Sequence, residues 1–195
     1  MKPLCLYGGA FDPVHNGHIY FARHIADAFK PDGLFFIPAH YSPFKGMQKY
    51  APDDHRLKML DIAARSVPGS AVSDIEIRRE GISYTLDTLK AFHALYPENS
   101  LLWVIGDDHL DRLDRWKGYP EHFRYCDFIV LPRSHPDARL KIDRHPFRAQ
   151  LHLLNADPFP VSSSEIRAIL KAEGDVNSLL PDEIRDYIDR NKLYR

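Results

Sequence analysis

The first 37 residues constrain the fold more than any other part of the chain. A short apolar run, Pro3 to Tyr7, ends at Gly8-Gly9 and reads as a buried strand feeding a tight loop. Ile19, Ala22, Ile25, Ala26 and Phe29 then recur at helical spacing, with charges on the other face. Pro31-Asp32-Gly33 breaks that helix, and Leu34 to Ile37 is a second buried strand. The opening is a βαβ unit.

The alternation continues. Residues Pro38 to Pro52, with three prolines and a glycine, are loop-like, and a helix from about Asp53 to Arg65 follows with Asp53 or Asp54 as its cap. Ala71 to Ile77 alternates apolar and polar residues as a half-buried strand does. A helix from Tyr84 to Tyr96 carries Leu86, Leu89, Phe92 and Tyr96 on one face and stops at Pro97. Leu101–Ile105, Phe128–Leu131 and Leu151–Leu154 are strand-like, whereas Arg133 to His145 is polar and reads as a surface loop. One helix is capped near Ser162 to Ser164, and a last one runs from Pro181 to about Arg190. Strands alternating with helices predict an α/β fold, doubly wound, its sheet mostly parallel and covered by helices on both faces. No repeat or linker divides residues 1–195, so a single domain is expected.

Charge narrows the partners. Lys+Arg total 26 against 27 Asp+Glu, a net charge of -1, which argues against a nucleic-acid wrapper or a membrane-surface protein but not against a small anion. Cys5 and Cys126 sit in apolar runs without metal-like spacing and read as reduced, buried thiols. The N-terminal apolar stretch is too short for a signal peptide and no later run approaches a membrane span, so a cytoplasmic location is the expectation. Neither heptads nor an edge motif fixes the oligomeric state, and a homo-oligomer stays open.

In a doubly wound sheet, ligands bind outside the carboxyl ends of the strands. Four segments fall where such a site would be: Gly8–His18, Ile82–Thr85, Gly106–Trp116 and Ser162–Arg167. In the first, Gly8 and Gly9 let backbone approach a ligand, and the helix after them offers free N–H groups and a positive dipole end to phosphate. His15 and His18, three apart at that helix start, can face one anion. An isolated His-x-x-His is more often a pair of surface residues, and a zinc site would want further ligands. Ser162, Ser163 and Ser164 can cap the late helix or hold phosphate, and Arg167, one turn in, can fork two phosphate oxygens. Trp116 alone would be a core aromatic, and Gly106-Asp107-Asp108 alone a turn and cap.

The run Gly8-Gly9-Ala10-Phe11-Asp12-Pro13-Val14-His15-Asn16-Gly17-His18 resembles the opening signature of the H-x-G-H nucleotidyltransferase superfamily. Three further segments resemble bacterial nicotinate-nucleotide adenylyltransferases: Ser83-Tyr84-Thr85-Leu86-Asp87-Thr88-Leu89, Ile105-Gly106-Asp107-Asp108 with Trp116, and Val161-Ser162-Ser163-Ser164-Glu165-Ile166-Arg167. The matches keep their order along nearly the whole chain. The resemblance implies a Rossmann-like fold and transfer of the adenylyl group of ATP to nicotinate mononucleotide. It also implies roles. His15, His18, Lys45 and Arg167 act on the phosphates; Gly8, Gly9, Ala10, Phe11, Gly106, Asp108, Ser162, Ser163 and Ser164 hold ATP; and Tyr84, Thr85 and Trp116 hold the mononucleotide. Trp116 is implied to stack on the pyridine ring, and Thr85 to receive its carboxylate at a helix start, which favours an acid over an amide. Mg²⁺ is expected to arrive with ATP rather than through direct protein ligands, and Asp12 is either a turn residue or a partner of metal-bound water.

One stretch departs from the family pattern. Ala39 stands where an asparagine is common and Phe44 where a histidine is common, with His40 the nearby candidate to replace it. Residues Ala39 to Ala51 are the expected closing loop. The rival readings are nicotinamide mononucleotide as acceptor, a phosphopantetheine adenylyltransferase, a non-catalytic nucleotide-binding module and, for want of ligands the weakest, a metal-dependent hydrolase.

Overall fold

The computed structural model describes residues 2–43, 50–133 and 137–195. Six strands form one sheet: β1 (Leu4–Gly9), β2 (Gly33–Pro38), β3 (Ser70–Val72), β4 (Leu101–Gly106), β5 (Cys126–Leu131) and β6 (Leu151–Leu153). Their spatial order is β3-β2-β1-β4-β5-β6, and every pair is parallel. Chain order reverses between β1 and β4, which opens a crevice beyond their carboxyl ends.

The helices are α1 (Asn16–Phe29), α2 (Asp53–Ala64), α3 (Ile75–Arg79), α4 (Thr85–Leu95), α5 (Ala138–Arg144), α6 (Ser163–Lys171) and α7 (Asp182–Arg190). They cover both faces because strand side chains alternate. Cys5 and Tyr7 of β1 join Ile25 of α1, Leu60 of α2 and Ile184 of α7 in one apolar cluster. Leu4 and Leu6 join Leu89 and Phe92 of α4 and Ile142 of α5 in the other. No helix among the described residues is long and apolar enough to cross a membrane.

Two sequence expectations fail. The strand expected over residues 71–77 stops at Val72, and the chain turns into α3. β3 is an edge strand with only β2 beside it, so beyond that short pairing the backbone finds its partners locally, as in the bond from Arg78 N–H to Asp74 C=O. The surface loop expected over residues 133–145 contains α5, which buries Ala138 and Ile142, four apart, against the second cluster. A third correction concerns α2, whose N-cap is Pro52 without a side-chain cap bond. Asp53 spends its carboxylate on Arg56 and His40 instead.

Candidate active site

A cleft of 420 Å³ opens at the carboxyl ends of β1 and β4. Gly8, Gly9, Ala10 and Phe11 line it from β1; Gly106, Asp108 and Trp116 from β4 and the 3-10 helix Asp107–Arg115 after it; Thr85 from α4; and Ser162, Ser163 and Ser164 from α6. His15 and His18 line it from the start of α1. Segments far apart in sequence thus meet as expected, because each follows a strand tip or opens a helix.

The glycines serve packing as well as access. A Cβ on Gly8 would stand 2.5 Å from the Trp103 indole, and one on Gly106 would collide with the Asp108 carboxylate and lie 2.7 Å from Arg133 Cδ. Phe11 adopts φ 47°, a strained value for a bulky residue. It is held there by burial and by ring contacts to Tyr7, Phe36 and His18, the last at 4.8 Å.

His15 is the N-cap of α1 in extended conformation and is only 4% exposed. Its ring stacks on that of His18 with centroids 3.7 Å apart. The His15 backbone N–H donates to His18 Nδ1 at 3.2 Å. A ring nitrogen that accepts carries no proton, so the His18 proton resides on Nε2. Burial, and secondarily the charge of Arg133, pushes His15 down to about 3, which leaves it neutral near pH 7.

The late motif is joined to this loop directly. Arg167 donates to the carbonyl of Asp12 at 2.6 Å, and Ser163 Oγ to that of Pro13 at 2.9 Å. Ser162 and Glu165 form a reciprocal capping box. Arg167 also reaches Ser164 Oγ at 3.1 Å and covers the Tyr50 ring at 3.8 Å, so its guanidinium is engaged at the margin of the cleft rather than lining it. The Arg167 bond to the Asp12 carbonyl thus ties α6 to the segment that leads into His15 and His18.

Other expected residues are placed differently. Tyr84 enters through its backbone as N-cap of α4, without a side-chain cap bond, and its ring lies under Lys117 Nζ at 4.1 Å. Asp12 is buried, and its carboxylate accepts from Tyr50 N–H (2.9 Å), Ala51 N–H (3.2 Å) and Tyr194 Oη (2.7 Å). These three bonds anchor Asp12 to the chain at residues 50–51 and to Tyr194. His40 pairs with Asp53 at 2.8 Å. Ala39 lines the cleft, while Lys45 and Phe44 lie outside the described residues, as does part of the expected closing loop.

Three residues escaped the sequence reading. Arg133, just past the tip of β5, lines the cleft 3.8 Å from Asp108 and is the cation whose charge bears on His15. Its position two residues beyond a buried strand was the available signal. Arg56 of α2 is 1% exposed and donates to the carbonyls of Ala10 (2.6 Å) and Ala39 (2.7 Å), tying the tips of β1 and β2 together. Glu76 is 3% exposed at the cleft wall, where burial raises its carboxyl against the pull of Thr88, Ser83 and Arg79. A helical Arg or Glu is ordinarily solvated, and nothing local distinguished these two.

A family model of cytidylyltransferase-like proteins matches residues 6–169. The chain is 34% identical to a probable nicotinate-nucleotide adenylyltransferase of Methylacidiphilum infernorum, over 98% of this chain and 91% of the relative. It is 32% identical to the nicotinate-nucleotide adenylyltransferase of Bacillus subtilis, over 100% and 99% respectively. Its fold matches a Plasmodium falciparum nicotinic acid mononucleotide adenylyltransferase complexed with NaAD, with a TM-score of 0.82 at 22% identity, covering 100% of this chain and 98% of that one.

Proposed function

We propose that this chain, which belongs to the nicotinate-nucleotide adenylyltransferase family of cytidylyltransferase-like proteins, joins nicotinate mononucleotide to the adenylyl group of ATP in NAD biosynthesis. The products are deamido-NAD and pyrophosphate. The observation that carries the reading is the convergence of three helix starts, those of α1, α4 and α6, on one cleft. Each presents N–H groups and a positive dipole end, and the reaction brings together three anionic groups: a triphosphate, a 5′-phosphate and a pyridine carboxylate.

An oxygen of the mononucleotide 5′-phosphate attacks the α-phosphorus of ATP. The new P–O bond forms as the bond to the β-bridging oxygen breaks, and pyrophosphate departs with that electron pair. The nucleophile is already ionised, so positioning and fixed donors supply the catalysis. His18 Nε2–H and the neutral His15 ring stabilise the α-phosphate, with Lys45 and Arg167 neutralising its neighbours. At α6 the hydroxyls of Ser162 and Ser163 donate to protein partners while that of Ser164 accepts from Arg167, so the phosphate donors in this reading are the helix-start N–H groups of Ser163 and Ser164 and the Ser164 O–H. Trp116 stacks on the pyridine, Thr85 receives the carboxylate, and Gly106 and Asp108 meet the adenosine.

A divalent cation, Mg²⁺ in this reading, would be carried by ATP and would screen the triphosphate charge. Among the described residues no three His, Cys, Asp or Glu side chains are grouped as metal ligands. The reading places the reaction in the cytoplasm, in keeping with two free, buried thiols.

The test is pyrophosphate release from ATP with nicotinate mononucleotide and, in parallel, with nicotinamide mononucleotide. Faster turnover of the acid is expected. Equal or faster turnover of the amide overturns the acceptor assignment, and no release with either overturns the activity.

A further inference from the structure

Glu76 is a carboxylate on α3 buried at the wall of the cleft, and Ser83 and Thr85 line the same wall. Two hydroxyls serve it. Thr88, one turn into α4, has its Oγ1 2.5 Å from Glu76 Oε1, and the Ser83 hydroxyl is the second partner. Both hydroxyls also accept a bond from elsewhere in the chain. Arg79 donates to Thr88 Oγ1 at 3.0 Å, and the His40 backbone N–H donates to Ser83 Oγ at 2.9 Å. Each hydroxyl accepts one bond and keeps its proton to donate; for Thr88 the nearer acceptor is Glu76 Oε1 at 2.5 Å, with the Tyr84 carbonyl at 3.4 Å.

One buried acceptor therefore joins three pieces of backbone: α3, the first turn of α4, and the segment entering it. That segment is also held to the chain after β2, by Ser83 N–H to Tyr41 C=O at 2.9 Å and the bridge between Tyr41 and Ile82. Thr85 sits between the two hydroxyl donors, and the N-cap Tyr84 supplies no side-chain bond to the helix start. The placement of the helix start then depends on Glu76 beneath it.

We propose that Glu76 is a positioning residue for the pyridine end of the cleft, and that by fixing Ser83 and Thr88 around Thr85 it sets the selectivity for a carboxylate over a carboxamide. The inference rests on the proposed adenylyl transfer to nicotinate mononucleotide. Glu76 is not a contact for the substrate's acid group, since two carboxylates at one point repel. It acts through the helix start that reads that group. A carboxamide gains less from N–H groups and a dipole end than an anion does, so a displaced helix start penalises the acid more.

The experiment measures kcat/KM for nicotinate and nicotinamide mononucleotide, together with KM for ATP, in wild type, Glu76→Ala and Thr88→Val. Glu76→Ala is expected to lower the acid-to-amide ratio roughly tenfold or more, the scale of loss from a misplaced binding group, while KM for ATP stays within about twofold. Thr88→Val, which removes one donor and keeps the carboxylate, moves the ratio the same way by a smaller factor and carries the test if Glu76→Ala does not fold. An unchanged ratio in active, folded variants, or a parallel rise in KM for ATP, overturns the role of Glu76 alone. Absence of wild-type turnover with nicotinate mononucleotide overturns the functional reading on which it stands.

Discussion

The backbone N–H of His15 donates to Nδ1 of His18 at 3.2 Å, and this bond decides which atom of the second ring can serve a phosphate. With Nδ1 occupied as an acceptor, Nε2 is the donor. The edge of Phe11 at 4.8 Å and the His15 ring stacked at 3.7 Å restrict the imidazole further. The H-x-G-H spacing is thus a device for presenting one N–H in a fixed direction, the preorganisation that transition-state stabilisation requires.

His18→Ala is therefore expected to lower kcat by about 100-fold or more, the loss typical of one such donor, with a thermal midpoint close to wild type because the ring is only partly buried. Steady-state rates and a melt on the same preparation check this. Near-normal kcat removes His18 from the chemistry.

Trp116 lines the cleft and packs nearly perpendicular to His109 and His122, at 5.5 and 5.8 Å between centroids. Trp116→Ala should raise KM for the mononucleotide roughly tenfold, as the loss of an aromatic stack does, and KM for ATP much less. Separate substrate titrations decide it. Equal shifts in both constants would mean that the indole supports the cleft wall instead of the pyridine.

Arg56 bonds two strand-tip carbonyls and Asp53 from a position almost sealed from water. Arg56→Met removes the cation while leaving those acceptors unpaired, so a loss of about 3 kcal/mol is expected in urea unfolding. Arg56→Lys should recover part of it, because an ammonium reaches fewer of the three acceptors at once. A loss below about 1 kcal/mol would show that water replaces the guanidinium.

Ser162 is the cap of α6, bonded both ways with Glu165. Ser162→Ala should cost about 1 kcal/mol of stability and change KM for ATP little, since its hydroxyl is committed to the helix. A large rise in KM for ATP at unchanged stability would transfer that hydroxyl to the triphosphate.

His15 links stability to acidity. Its folded value is lowered to about 3 from 6.5, so between those limits the unfolded chain binds a proton that the folded chain excludes. The contribution is complete above pH 6.5 and is lost as pH falls toward about 3. Burial lowers His109, His122 and His145 as well, and they act in the same direction. His15→Gln should flatten the fall in unfolding free energy between about pH 6 and about pH 4, by up to about 1.4 kcal/mol per pH unit. Urea titrations at stepped pH test this, and an identical slope in the variant would place the acid sensitivity elsewhere.

Much of this molecule was legible in one dimension. The apolar runs that became β1, β2, β4, β5 and β6, the periodicity of α1 and α4, the serine start of α6 and Pro181 before α7 all follow from local periodicity and turn chemistry, and these keep their meaning wherever the segment ends up. The same locality explains the failures: the short alternation at 71–77 fits an edge strand or one helical turn equally well until a neighbour is present to pair with, and in the polar run 133–145 only Ala138 and Ile142 of α5 are buried, against a core the sequence does not display. The motif positions belonged to the sequence too, since glycines, histidines and serines at strand tips and helix starts declare themselves by type.

Tertiary structure alone decided how those positions are used. The order β3-β2-β1-β4-β5-β6 sets β1 beside β4 and so brings the starts of α1, α4 and α6 around one cleft. It also turned Asp12 into an anchor, gave the hydroxyls of Ser162 and Ser163 to protein partners, and made Arg56, Glu76 and Arg133 parts of the site's frame. A charged side chain can be buried only where its partners are assembled, and for Asp12, Arg56 and Glu76 the partners come largely from other elements of the chain. Hydrophobic periodicity is a property of neighbours in sequence; charge compensation is a property of neighbours in space.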